Sequence, residues 1–218
     1  MPEKLNLAAI RKNYSLQDLT EETVLDDPLA QFNRWMQEAI AAQVEEPTAM
    51  VLSTVNAAGQ PSARVVLLKA LEAGKLVFFT NYNSRKGKEI ADSGKVALTF
   101  FWPALERQVR IEGQVTEVNP EISDEYFASR PRGSQIGAWV SPQSQPISSR
   151  QELENTTANY QQQYGEDKAI PRPSHWGGYG VVPIYIEFWQ GRPNRLHDRL
   201  AFTRPNPESS WQLNRLAP

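Results

Sequence analysis

The spacing of hydrophobic and polar positions changes several times along the chain, and each change marks an element. Residues 1–26 hold no sustained period and read as an N-terminal arm over the surface, with scope for motion. Asp27 and Pro28 then supply a helix N-cap and a first helical residue. Leu29, Phe32, Trp35, Met36 and Ile40 recur at helical spacing, a stripe predicted to face a core. From Thr48 the runs TAMVLSTV, SARVVLLK and LVFFT are short and rich in β-branched and aromatic residues, with NAAGQP and EAGK as turns between them. That is the pattern of an antiparallel meander. A short helix is predicted over 84–93, closed by Gly94, and strands resume at KVALTFFW and RQVRIEGQVTEV. Asn119 and Pro120 open another helix, running to about Arg130. No regular element is assigned to the Pro-, Gly-, Ser- and Gln-rich stretch 131–148, and 149–164 reads as an exposed polar helix. WGGYG at 176–180 reads as a tight turn, before strands at PIYIEFWQG, RLHDRLAFTR and WQLNRL. With no linker and no repeat, residues 27–218 read as one domain, mainly β and barrel-like with flanking helices.

Composition narrows the chemistry. Lys plus Arg number 23 against 25 Asp plus Glu, a net charge of -2, which speaks against nucleic acid as a partner. Cysteine is absent and only His175 and His197 are present, so thiolate catalysis is excluded and no metal is expected. The N-terminus has no apolar signal region, and no apolar run approaches the roughly 20 residues of a membrane span. A soluble, cytoplasmic protein is expected, without a membrane partner.

The usual nucleotide and hydrolase signatures, GxGxxG, GxxxxGK[ST] and GxSxG, are missing. Four local features remain. Ser84-Arg85-Lys86 puts two cations in the first turn of a helix, where the dipole favours anions; a bound phosphate would resolve the conflict. Arg64 and Lys69 fall on opposite faces of one predicted strand, roughly 17 Å apart, and so suit different parts of a site. Tyr126 and Arg130 share a helical face with Ser134 close behind, a set able to surround a phosphate. Arg195, His197 and Arg199 line one face if their segment is extended, with Trp189 near enough to cover a flat ring. Each also has a plain structural reading. Together they suit a phosphorylated cofactor that carries the chemistry and a phosphorylated substrate beside it.

The blocks ARVVLLK, FFTNYNSRKGKEI, LERQVRIEG, YFASRPRGSQIGAWVSPQS, EFWQG, RLHDR and RLAP occur in that order. They resemble the pyridoxamine 5'-phosphate oxidase family from about Asp27 to Pro218. The resemblance implies an FMN-binding split β-barrel, a homodimer with FMN between its subunits, and oxidation of pyridoxamine and pyridoxine 5'-phosphates by dioxygen. It assigns FMN contacts to Arg64, Val65, Val66, Leu67, Leu68, Lys69, Phe79, Thr80, Gln108, Gln143, Ser144, Trp189 and Arg199, with Arg85 and Lys86 on its phosphate. Lys69, Tyr126, Arg130 and Ser134 would bind the substrate phosphate. Arg195 and His197 would lie over the pyridine ring as catalytic residues, and Arg11 and Tyr14 of the arm would close over the substrate. The arm, KNYSLQDLTEE, is the poorest match. The alternatives are a split-barrel flavoenzyme with another substrate, such as a phenazine-pathway oxidase, a non-catalytic carrier of FMN or pyridoxal phosphate, and a haem binder using His175 or His197.

Overall fold

A computed structural model describes Leu7 and residues 12–218. Its helices are α1 (Pro28–Ala41), α2 (Arg85–Ser93), α3 (Pro120–Ser129), α4 (Arg132–Val140) and α5 (Arg150–Tyr164). The strands are β1 (Ala49–Val55), β2 (Pro61–Leu67), β3 (Ala70–Glu72), β4 (Lys75–Asn81), β5 (Lys95–Trp102), β6 (Arg107–Glu117), β7 (Trp176–Gln190), β8 (Asp198–Thr203) and β9 (Gln212–Arg215). They form one nine-stranded sheet in the order β2-β1-β5-β6-β7-β4-β3, with β8 on β7 and β9 on β8. This is the mainly β architecture with flanking helices expected from the sequence. No helix among the described residues is long and apolar enough to cross a membrane.

The chain forms two compact units: Met1–Pro47, Thr99–Ile111 and Ile184–Pro218 make the first, Thr48–Leu98 and Glu112–Pro183 the second. In the first unit, the Asp27 carboxylate caps α1 by accepting from the Leu29 N–H at 3.0 Å. Phe32 packs 5.0 Å from Phe100, and Trp35 lies edge-on to Phe188 at 5.2 Å. Ile40 departs from the predicted stripe and is exposed, while Gln31 and Ala39 are buried. At about 100° per residue, Ile40 lies a full step past Ala39 and off the face centred on Phe32 and Trp35. Residues 12–26 hold neither helix nor strand, yet Leu19 and Val24 are buried.

In the second unit β1 and β2 pair with Leu52 opposite Arg64, and β4 pairs with β7 with Phe79 opposite Gly178. WGGYG is therefore strand, not turn. Its glycines serve close approach: a Cβ on Gly178 would meet Phe79 Cε1 at 2.8 Å, and one on Gly177 would meet the Tyr82 hydroxyl at 2.1 Å. The run SARVVLLK is not one strand either. β2 ends at Leu67, Leu68 N–H donates to the Thr48 carbonyl at 2.9 Å, and Lys69 N–H donates to Val77 at 2.8 Å. The chain changes neighbours there, so face alternation cannot be carried from Arg64 to Lys69. Helix α4 arises where no element was predicted, because its N-terminus lacks a side-chain cap and it contains Gly133 and Gly137. Its burial of Ile136, Ala138 and Val140 against Phe127, Ile170 and Trp176 holds it.

Candidate active site

One cavity of about 530 Å³ in the second unit gathers much of the predicted site. Arg64, Val65, Val66, Leu67, Lys69, Phe79, Thr80, Lys86, Tyr126, Arg130, Ser134 and Gln143 all line it, with Pro131 and Trp176. Four of these side chains are cations and none is a carboxylate. Arg64 and Lys69 line this one cavity, with the chain changing neighbours between them after β2 ends at Leu67.

One wall is aromatic. Phe79 stacks on Tyr126 at 4.0 Å and on Trp176 at 5.5 Å, and the Arg130 guanidinium lies 4.5 Å from the Trp176 ring. Arg130 follows directly on α3, and Pro131 keeps it extended at φ -71°, ψ 149°. Its Nη1 is buried with no hydrogen-bond partner. Burial pushes the guanidinium pKa down. A partly desolvated cation that lines a cavity and has a bond unmade suits an anion there.

The opposite wall rests on Glu89, which sequence reasoning overlooked although it lies one helical turn from Arg85. Arg64 donates to Ser62 at 2.5 Å and to Thr54 at 2.6 Å, and pairs with Glu89 at 3.4 Å. Arg85 does not line the cavity; it pairs with Glu89 at 2.8 Å. The conflict predicted between Arg85 and the helix dipole is thereby met within α2. Burial pushes the Glu89 carboxyl up, but hydrogen bonds from Thr54, Ser62 and Arg85 and the Arg85 charge overcome it and hold the group at about 2. Ser84 caps α2 through Gly87 N–H, and Lys86 donates to Gln143 at 2.7 Å. Burial first, then the Arg64 charge, lowers the Lys86 pKa. A phosphate group fits this like-charged pair beside a cavity free of carboxylates.

A second cavity of about 600 Å³, in the first unit, is lined by Lys12, Asn13, Tyr14, Arg192, Asn194, Arg195 and His197. The extended reading of 195–199 is corrected here: Pro193–Arg195 form a 3₁₀ turn with Asn194 at φ 56° and Arg195 at φ 62°, and strand resumes only at Asp198. Arg195 and His197 consequently face the cavity, while Arg199 pairs with buried Glu187 at 2.8 Å and donates to the Ala217 carbonyl. Trp189 lies 4.6 Å from His197 and edge-on to Tyr14 at 5.8 Å. The Arg192 N–H donates to His197 Nδ1 at 3.1 Å, so the neutral ring carries its proton on Nε2. Burial, then the Arg195 charge, lowers the His197 pKa and favours that neutral form.

Leu68, Gln108, Ser144, Trp189 and Arg199 line neither of these cavities. Leu68 is buried, Gln108 lies on β6, and Ser144 follows Gln143 at φ 72°. Arg11 lies outside the described residues.

Comparison with known proteins now decides the lineage. The model of the pyridoxamine 5'-phosphate oxidase family matches residues 36–164, and that of the pyridoxine 5'-phosphate oxidase C-terminal dimerisation region matches 176–218. The chain belongs to the pyridoxamine 5'-phosphate oxidase family. A relative from Chromobacterium violaceum, named pyridoxine/pyridoxamine 5'-phosphate oxidase, is 55% identical over 214 residues, covering 98% of this chain and 99% of its own. One of the same name from Cytophaga hutchinsonii is 52% identical, covering 99% and 100%. Among solved structures, PhzG from Burkholderia lata in complex with tetrahydrophenazine-1-carboxylic acid is similar with a TM-score of 0.86 and 28% identity, covering 94% of this chain and 100% of its own. An FMN binding protein from Nostoc punctiforme, related to pyridoxamine 5'-phosphate oxidase, shares the fold with a TM-score of 0.69 at 15% identity. The split-barrel class expected from the sequence stands with the family.

Proposed function

We propose that the protein is an FMN-dependent oxidase that converts pyridoxamine 5'-phosphate and pyridoxine 5'-phosphate to pyridoxal 5'-phosphate. Dioxygen is the final acceptor, giving hydrogen peroxide, and the amine substrate also releases ammonia. The protein acts in the cytoplasm as a homodimer with FMN held between the subunits; the match of 176–218 to a dimerisation region supports the dimer. The observation that supports the phosphate requirement is Arg130, a half-buried cation with Nη1 unpaired, lining a cavity without carboxylates.

FMN, when bound, would supply the hydride-accepting and dioxygen-reactive chemistry. Lys69, Tyr126, Arg130 and Ser134 hold the substrate phosphate, and the Phe79–Tyr126–Trp176 stack keeps water from that end of the cavity. Lys86 would hold the FMN phosphate with Arg64, which Glu89 fixes, and Arg85 would join them only by turning from its Glu89 pair, since it does not line the cavity. Val65, Val66, Leu67, Leu68, Thr80, Gln108, Gln143, Ser144, Trp189 and Arg199 complete the flavin contacts. Arg195 and His197 cover the pyridine ring, with Arg11 and Tyr14 closing over the substrate. Arg195 brings a permanent charge to stabilise charge that develops at the reacting carbon and its substituent. Neutral His197 offers Nε2–H as a donor that orients the substrate. Separate anchors for the two phosphates would make this catalysis by positioning.

Comparing pyridoxamine 5'-phosphate with unphosphorylated pyridoxamine tests the assignment. Two or more charge-assisted bonds at roughly 1.5–3 kcal/mol each predict a loss of about two to four orders of magnitude in kcat/KM without the phosphate. Equal turnover of the two would overturn it.

A further inference from the structure

Glu106 sits where a carboxylate is hard to keep: its side chain is only 4% exposed, and its backbone is left-handed at φ 54°. Its carboxylate makes no bond to the strand that follows it. Instead Oε2 accepts the backbone N–H of Ser15 at 2.8 Å and of Leu16 at 3.1 Å, while Oε1 lies 3.6 Å from Lys12 Nζ. Meanwhile its backbone carbonyl accepts Gly191 N–H at 2.7 Å and Gln190 Nε2 at 3.2 Å. One residue therefore ties the N-terminal segment to the end of β7.

Tyr14 lies between the three anchored positions. Its ring is edge-on to Trp189 and to His197, each at 5.8 Å. It also presses on Gly191, where an added Cβ would meet Tyr14 Cβ at 2.8 Å, Tyr14 Cγ at 2.7 Å and Glu106 Cβ at 3.0 Å. Lys12, Asn13 and Tyr14 complete the rim of the Arg195–His197 cavity. A segment without helix or strand cannot hold a tyrosine there by its own backbone bonds; an outside acceptor is needed for its N–H groups.

We propose that Glu106 is a positioning residue of the oxidase: it fixes the segment 12–16 so that Tyr14 closes the Arg195–His197 cavity over the substrate. The proposal rests on the assignment of that cavity to the substrate ring. Glu106 touches neither substrate nor flavin and acts through Tyr14.

The test uses the full-length FMN-loaded protein and the variants Glu106→Ala, Glu106→Gln, Tyr14→Ala and the double variant Glu106→Ala/Tyr14→Ala. Hydrogen exchange at the Ser15 and Leu16 amides reads the anchor directly. Loss of bonds to a charged acceptor predicts about tenfold or greater acceleration in Glu106→Ala, and less in Glu106→Gln, which keeps one acceptor oxygen. For pyridoxamine 5'-phosphate, KM rises about tenfold in Glu106→Ala, with kcat within about twofold and FMN affinity unchanged. Tyr14→Ala gives a similar rise, and adding Glu106→Ala to it gives no further one. Unchanged amide exchange in Glu106→Ala, or effects on KM that multiply in the double variant, would overturn the proposal. If Glu106→Ala fails to fold, the same two measurements on Glu106→Gln decide. Absence of turnover in the unaltered protein would instead sink the substrate assignment, and amide exchange would still decide whether Glu106 holds the segment.

Discussion

Replacing Arg130 by Met separates binding from stability more sharply than any other change in the cavity. In the ligand-free protein the buried Nη1 makes no bond, and burial already disfavours the charge. Leaving such a donor unmade costs about 1–3 kcal/mol. The contact with Trp176 at 4.5 Å returns part of this, about 0.5–2 kcal/mol for a desolvated cation over a ring. Met keeps much of the apolar stem and removes both terms. The net for Arg130→Met is a ligand-free stability between about 1 kcal/mol lower and about 2.5 kcal/mol higher, so melting shifts between about 4 °C down and about 10 °C up for a chain of this size. Substrate binding weakens in either case. Two lost charge-assisted bonds, about 3 kcal/mol together at the low end, raise KM for pyridoxamine 5'-phosphate roughly 150-fold. Thermal melting of the flavin-free protein and steady-state peroxide release measure the two sides. A variant that melts more than about 5 °C lower while keeping KM would refute the reasoning and make Arg130 a structural residue.

Other consequences are as direct. Glu89 is held at about 2 against an ordinary 4.5, so its stabilisation is complete above pH 4.5 and is lost as pH falls toward 2. Acid melting of the protein loses on the order of 3 kcal/mol over that window, and Glu89→Gln, less stable at pH 7, shows a correspondingly flatter acid profile. The lowered His197 pKa puts the acid limb of kcat/KM below about 6.5, and His197→Asn removes that limb in a pH–rate series. A Cβ on Gly87 would meet the Tyr82 carbonyl oxygen at 2.1 Å and the carbonyl carbon at 2.6 Å. Backbone cannot yield as a side chain does, so Gly87→Ala costs about 3 kcal/mol or more by denaturant melting and weakens FMN binding through Lys86.

The sequence made the hairpins and capped helices legible because their signals are local. Asp27-Pro28, Ser84 with Gly94, and Asn119-Pro120 each announce a helix end within a few residues, and the structure places α1, α2 and α3 there. What stayed hidden depended on partners far along the chain. WGGYG looks like a turn until Phe79, Val118 and Tyr82 are seen to fill the space that side chains at Gly177 and Gly178 would take. Helix α4 has no cap and is recognised only by the residues it covers. Among site residues, the phosphate-binding role proposed for Lys86, Tyr126, Arg130 and Ser134 could be argued from spacing, and the structure places all four on one cavity. The carboxylates that orient the cations, Glu89 for Arg64 and Arg85 and Glu187 for Arg199, could not, except that Glu89 stands four residues after Arg85. The left-handed Arg195 turn was equally invisible, and it separates Arg195 and His197 from the strand that carries Arg199.

Aerobic turnover of pyridoxamine 5'-phosphate by the FMN-loaded protein tests the central claim most directly. Pyridoxal 5'-phosphate and hydrogen peroxide are followed in the same sample. The account predicts that they appear in equal amounts and that Arg130→Met needs far more substrate to reach the same rate. Tightly bound FMN with neither product formed would contradict it.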